Sequence, residues 1–121
     1  MKSDIDNPFS IADHTVVMRQ RGYIVGYCGR TTLEKLAYEI NNKCEDYFPN
    51  AKGLYVMFYI NEKSELPAVL KGEKGARIMR EIEGLCNENA NVVFDMYYDN
   101  TLVLEMIEYA LYLSGIENLK K

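Results

Sequence analysis

The 121-residue sequence has no tryptophan and a single histidine, His14. A three-imidazole metal site is therefore excluded. A Ser-His-Asp or Cys-His site would have to draw on His14, and no nucleophile elbow serves it. Cysteine is sparse as well: Cys28, Cys44 and Cys86 form no CxxC pair, which removes a zinc ribbon and a thioredoxin-type site. An odd number of cysteines suits a reduced, cytoplasmic setting. No apolar run reaches the roughly 18 residues of a membrane span, so no membrane partner is expected. The first fourteen residues carry three aspartates and no apolar core, unlike a secretory signal. No Walker loop is present, and no C-x5-R phosphate cradle, since Cys28 precedes Arg30 by only two residues. No catalytic residue, metal ligand or cofactor is assigned on these grounds, and a non-catalytic protein is expected over an enzyme.

The composition that remains is ordinary for a globular chain: 48% hydrophobic and 26% charged. The formal net charge of −4 repels a nucleic-acid polymer. Residues 1–14 read as a polar arm and 15–121 as one α/β domain. Residues 15–18 (TVVM) and 23–28 (YIVGYC) read as strands joined through Arg19-Gln20-Arg21-Gly22. Thr31 and Glu34 have the spacing of a capping box, and Leu33, Leu36, Ala37, Ile40, Cys44 and Tyr47 follow at helical steps until Pro49. Residues 54–60 (LYVMFYI) are apolar without alternation, the pattern of a strand covered on both faces. Pro67 restricts 66–70 to an edge strand or a non-strand role. A helix is expected over 75–87 and a strand over 92–98. A last helix, capped by Asp99 or Asn100, would carry Leu102, Val103, Met106, Ile107, Ala110 and Leu111 as its stripe and stop at Gly115. The expected fold is a two-layer α+β or α/β domain of four or five strands and three helices, in the order β-β-α-β-(β)-α-β-α.

Charge and tyrosine are unevenly distributed. All five arginines fall in two short basic stretches, 19–35 and 71–80, whereas residues 81–118 hold eight acids and no base. Each stretch has a glycine where a helix is expected to begin. A helix N-terminus presents unpaired N–H groups to an anion, and arginine adds a fork of donors. Arg19, Arg21, Arg30, Thr31, Thr32, Lys74, Arg77 and Arg80 are therefore candidate phosphate ligands. Asn100 joins them from the 99–101 loop if the strands are parallel. Ten tyrosines supply rigid amphipathic surface, and Tyr97 or Tyr98 would stack on a base. The tyrosine-rich, acidic final helix is the expected homo-oligomer contact.

Two family resemblances bear on function. Lys71-Gly72-Glu73-Lys74-Gly75-Ala76, the 75–87 helix, the 92–98 strand and Asn100 resemble the basic glycine turn, helix, strand and Asn-opened helix of Gcn5-related N-acetyltransferases. Lys74 stands where that family has glycine, and no room follows for its later strands. This resemblance implies an acyl-CoA-dependent transferase. In length, acidity, element order and arginine-plus-aromatic content, with Arg30-Thr31-Thr32, Lys74 to Arg80 and Tyr97-Tyr98, the chain is similar to phage Thoeris anti-defence proteins. That resemblance implies a small oligomeric sponge that holds a cyclic ADP-ribose isomer without cleaving it, in the cytoplasm of a bacterial host. The expected partner is thus a small phosphorylated nucleotide. A protein-binding inhibitor or adaptor, acting through Glu105 and Glu108, is the third reading.

Overall fold

The computed structural model describes residues 21–119. The arm 1–14, the strand expected at 15–18 and Arg19 lie outside that range. Within it, β1 (Tyr23–Thr32) leads through a 3-10 turn (Leu33–Lys35) to α1 (Leu36–Cys44). A second 3-10 turn (Phe48–Asn50) precedes β2 (Gly53–Ile60). Two helices follow, α2 (Leu66–Lys71) and α3 (Glu73–Glu83), then β3 (Asn91–Tyr98) and β4 (Met106–Ile116). The class is α+β: a four-stranded mixed sheet with three helices in two layers. The strand order is β1-β4-β2-β3, with β4 antiparallel to both neighbours and β2 parallel to β3. It follows that β1, β2 and β3 all point the same way, and their C-terminal ends share one end of the sheet.

Alternation along the strands separates two faces. Leu54, Val56, Phe58 and Ile60 of β2 and Ile107, Tyr109, Leu111 and Leu113 of β4 join Leu36, Ile40 and Cys44 of α1 and Ile82 of α3 in one core. Phe58 stacks on Phe94 with centroids 6.0 Å apart. Tyr109, a polar member of this face, is fully buried and donates to Glu39 Oε2 at 2.8 Å. Lys43 Nζ sits 5.3 Å from its ring centroid and donates to the Cys28 carbonyl at 2.7 Å. Gly29 makes this possible: a Cβ there would lie 2.7 Å from both Lys43 Nζ and the Tyr109 hydroxyl.

Three local expectations are corrected, and the open choice at 66–70 is decided for a non-strand role. The first strand runs on to Thr32, so Gly29 and Arg30 are strand residues, with Arg30 opposite Glu108. The capping box does not form, because Thr31 is buried in β1 opposite Ile107 and no side chain caps the following turn. Residues 66–71 are a helix, with Pro67 in its first turn, where the missing N–H costs nothing. The last helix is the strand β4. Its pattern Ile107-Tyr109-Leu111-Leu113 has period two, and pairing on both sides makes it an inner strand. The helix-borne oligomer contact is lost with it. Gly115 does take the left-handed conformation (φ 72°), but near the end of a strand rather than at a helix stop. Lys52 closes over that glycine, with side-chain atoms 2.6 to 3.0 Å from where a Cβ would be.

Candidate functional site

The second face of the sheet carries even-numbered residues of β1 and β4 and odd-numbered residues of β2 and β3. Register places Arg30, Glu108, Tyr59 and Tyr97 side by side in one row across all four strands. Arg30 Nε pairs with Glu108 Oε1 at 3.2 Å, and both are well exposed. The Tyr59 and Tyr97 rings stack, 5.4 Å between centroids and 23° between planes. The Tyr59 hydroxyl also lies 3.7 Å from Met57 Sδ. Burial first, and then the neighbouring Tyr97, Tyr112, Glu108 and Asp95, raise the pKa of Tyr59 above the ordinary phenol value. It is held as a neutral ring with a hydroxyl.

The next row is Cys28, Ala110, Met57 and Asp95. Its first three members are small or flexible and form a shallow floor; the fourth is a buried carboxylate. Tyr55 donates to Asp95 Oδ2 in a short hydrogen bond, and Tyr97 donates to the same oxygen at 3.2 Å. Burial, followed by these contacts with Asp95 and Tyr97, keeps the Tyr55 phenol protonated far into the alkaline range. Asp95 Oδ1 is buried and has no hydrogen-bond partner. The face is therefore graded. It is exposed at Cys28, Arg30 and Tyr112 and closes toward Tyr55, Val93 and Asp95.

At the end where β1, β2 and β3 finish lies an open cleft of about 870 Å3. Thr32, Lys63, Ser64 and Lys74 line it together with Glu34, Glu65 and Glu105, and Val103 and Leu104 stand at its edge. The loops after β2 and β3 are tied together beside it. Asn100 donates to Glu62 Oε1 and accepts from the Glu62 N–H, both at 2.9 Å, and Asn61 donates to the Leu102 carbonyl at 2.9 Å. Asp99 accepts from the backbone N–H and hydroxyl of Thr101, which hold its carboxyl below the usual range.

The residues singled out in the sequence divide among these places. Arg30 and Tyr97 share the row on the second face. Thr32 and Lys74 share the cleft. Thr31 is buried on the helix side of β1, and Tyr98 packs there against the core. Asn100 is a loop clamp. Arg77 and Arg80 are exposed on α3, across the sheet from Arg30, so these three arginines do not converge on one anion within a protomer. Arg21 is exposed just before β1. Tyr59 and Asp95 were not singled out as ligands, and Glu108 was singled out only as a protein contact. Only the strand register makes them neighbours of Arg30 and Tyr97, and a parallel register between residues about 40 apart leaves no local mark. Among the described residues no group of three or more His, Cys, Asp or Glu side chains could hold a metal ion, and no helix is long and apolar enough to cross a membrane.

No protein-family model matches the chain, and no curated protein does. Solved structures do. The empty FtsZ dimer from M. jannaschii superposes with a TM-score of 0.65 at 19% identity, over 88% of this chain and 31% of that one. A tryptophan-to-tyrosine mutant of M. jannaschii FtsZ gives 0.63 at 18%, over 88% and 32%. The chain spans about a third of the FtsZ chains it matches, and at this identity the likeness is one of fold: what it shares with FtsZ is the sheet and the helices packed on it.

Proposed function

We propose that the second face of the sheet binds a small phosphorylated nucleotide and sequesters it without chemical conversion. One observation carries this reading. The row Tyr97-Tyr59-Glu108-Arg30 presents aromatic surface, carboxylate and guanidinium in the order base, ribose, phosphate. A base packed against Tyr59 over the Met57 floor puts its ribose above β4, where Glu108 can accept from the sugar hydroxyls. Its phosphates then lie above β1, within reach of Arg30. The distance from β2 to β1 is two strand spacings, about 10 Å, which is the scale of a nucleotide. Stacking on a tyrosine contributes about 1–3 kcal/mol, and the Arg30 fork supplies a charge-assisted pair. Thr32 lies two residues beyond Arg30 on the same face and lines the cleft that holds Lys63 and Lys74, so a longer phosphate chain has further donors in its path. The similarity to Thoeris anti-defence proteins makes a cyclic ADP-ribose isomer the specific ligand of this proposal and sequestration of a defence signal its use.

The test is thermal unfolding of the full chain against ADP-ribose, its cyclic isomers, cyclic dinucleotides and acetyl-CoA. A ligand at about 100 times its Kd adds roughly 2.7 kcal/mol, several degrees for a domain of this size. The expected result is a shift with a nucleotide that is recovered intact and is lost in Arg30→Ala. A shift with acetyl-CoA alone would instead favour the acyltransferase. That alternative is weakened because the helix it needs after Asn100 is the strand β4. Self-association is a second proposal, favoured by the exposed Tyr23, Ile24 and Tyr112 at one corner of the sheet. Light scattering that returns a monomer at all concentrations would remove it.

A further inference from the structure

We propose that Asp95 determines which base this site accepts: its free Oδ1 takes the N–H of an exocyclic amino group, so a base that carries such a group is accepted over its counterpart that lacks it. The inference rests on the nucleotide reading above and deepens it. Three observations carry it. First, a buried carboxylate oxygen without a partner is costly, and such atoms are rare in folded proteins. Asp95 Oδ1 is such an atom. Second, the other donors nearby are already committed. The Tyr55 and Tyr97 hydroxyls both serve Oδ2, and they lie 3.4 Å from each other. What Oδ1 lacks is therefore a donor from outside this cluster. Third, register puts Asp95 next to Met57, in the row beneath the Tyr59-Tyr97 pair. A base lying over Met57 against Tyr59 has its ribose directed toward β4, so its opposite edge is directed toward β3 and Asp95. Met57, the neighbour of Asp95 in this row, has three rotatable bonds and a soft thioether, a side chain suited to giving way to that edge.

An acceptor-only carboxylate discriminates strongly. An amino group meets it as a donor. A carbonyl or a bare ring nitrogen on the same edge leaves two acceptors facing each other, the arrangement that sites built around a hydrogen bond reject. Titration calorimetry of the full chain would compare ADP with purine riboside 5′-diphosphate, which lacks only the 6-amino group, and CDP with UDP. The expected result is at least tenfold tighter binding of the amino member of a pair. Asp95→Asn keeps the shape and can still accept from both tyrosines, but turns a donor toward the base. It should abolish or reverse the preference while binding through Arg30 persists. Equal affinity within both pairs overturns the role of Asp95 and leaves the nucleotide site standing. No binding of any of the four overturns the role of Asp95, and the nucleotide reading falls with it if the cyclic ADP-ribose isomers also give no thermal shift. A folded Asp95→Asn protein that keeps the wild-type preference also overturns it. If that variant does not fold, the wild-type comparison decides alone.

Discussion

The two faces of the sheet use the same strands for opposite purposes. On the helix side, Phe58, Leu111 and Ile107 are buried under α1 and α3, and the polar Tyr109 among them is partnered by Glu39. On the other side, residues one position along the same strands form an aromatic and ionic row, exposed at one end and closing onto a carboxylate with a free oxygen at the other. The packed core and the proposed binding row are thus separated by a single residue step along each strand. A change on one face should act on folding, and its neighbour on the other face should act on binding.

The strongest test of this separation compares adjacent residues. Phe58→Ala should cost about 3–5 kcal/mol, because it empties a packed core position. Tyr59→Ala should cost clearly less in urea unfolding while removing nucleotide binding. Equal losses of stability would mean the faces are not distinct. Next in size is Gly29→Ala. Its new Cβ would displace Lys43 and Tyr109, breaking the buried Tyr109-Glu39 bond, and we expect a loss of roughly 1–3 kcal/mol. A double variant with Tyr109→Phe should then lose less than the sum of the two single variants.

The cysteines report on the same division. Burial pushes the Cys44 thiol up to about 12 and the Cys86 thiol to about 11, from an ordinary 9.0. These are acids whose neutral form is favoured by folding. Their contribution is complete below pH 9 and is lost as pH rises through the 9–12 window. Urea midpoints should therefore fall above pH 9, and Cys44→Ala should flatten that fall. At pH 8 an alkylating reagent should modify Cys28, exposed on the second face, while Cys44 reacts only on unfolding; rapid labelling of Cys44 would contradict its burial. Smallest in stability is Arg30→Ala. Its exposed pair with Glu108 is worth at most about 1 kcal/mol, so unfolding should scarcely move while nucleotide affinity drops.

Much of the helix-side face was legible in the sequence. The unbroken apolar run 54–60, the helical steps of Leu36, Ile40 and Cys44, and the 92–98 strand each fit one template. Residues 102–113 fit two. Leu102, Met106 and Ile107 have helical spacing, while Ile107, Tyr109, Leu111 and Leu113 alternate. Only the open position between β1 and β2 decides for the strand. Gly29-Arg30 was read as the opening of a helix because glycine beside arginine suits an anion site. Its glycine serves instead to admit Lys43 and Tyr109 from across the layer. The second face was the least legible part, since its row assembles four residues from four strands through registers that no local pattern encodes.

The placement of β4 also governs how the molecule comes into being. Synthesis delivers β1, β2 and β3 first, yet β1 has no partner among them, and β4 must enter between β1 and β2 from 74 or more residues away along the chain from its β1 partners. On the ribosome the nascent chain can pair β2 with β3 and pack α2 and α3, but β1 waits until the segment around Met106–Ile116 emerges. Such long-range closure slows folding and leaves an unpaired apolar strand exposed in the interim. The last step of assembly is thus the insertion that completes both faces at once, and the row of Tyr97, Tyr59, Glu108 and Arg30, which needs Glu108 from that strand, comes into existence only with the finished sheet.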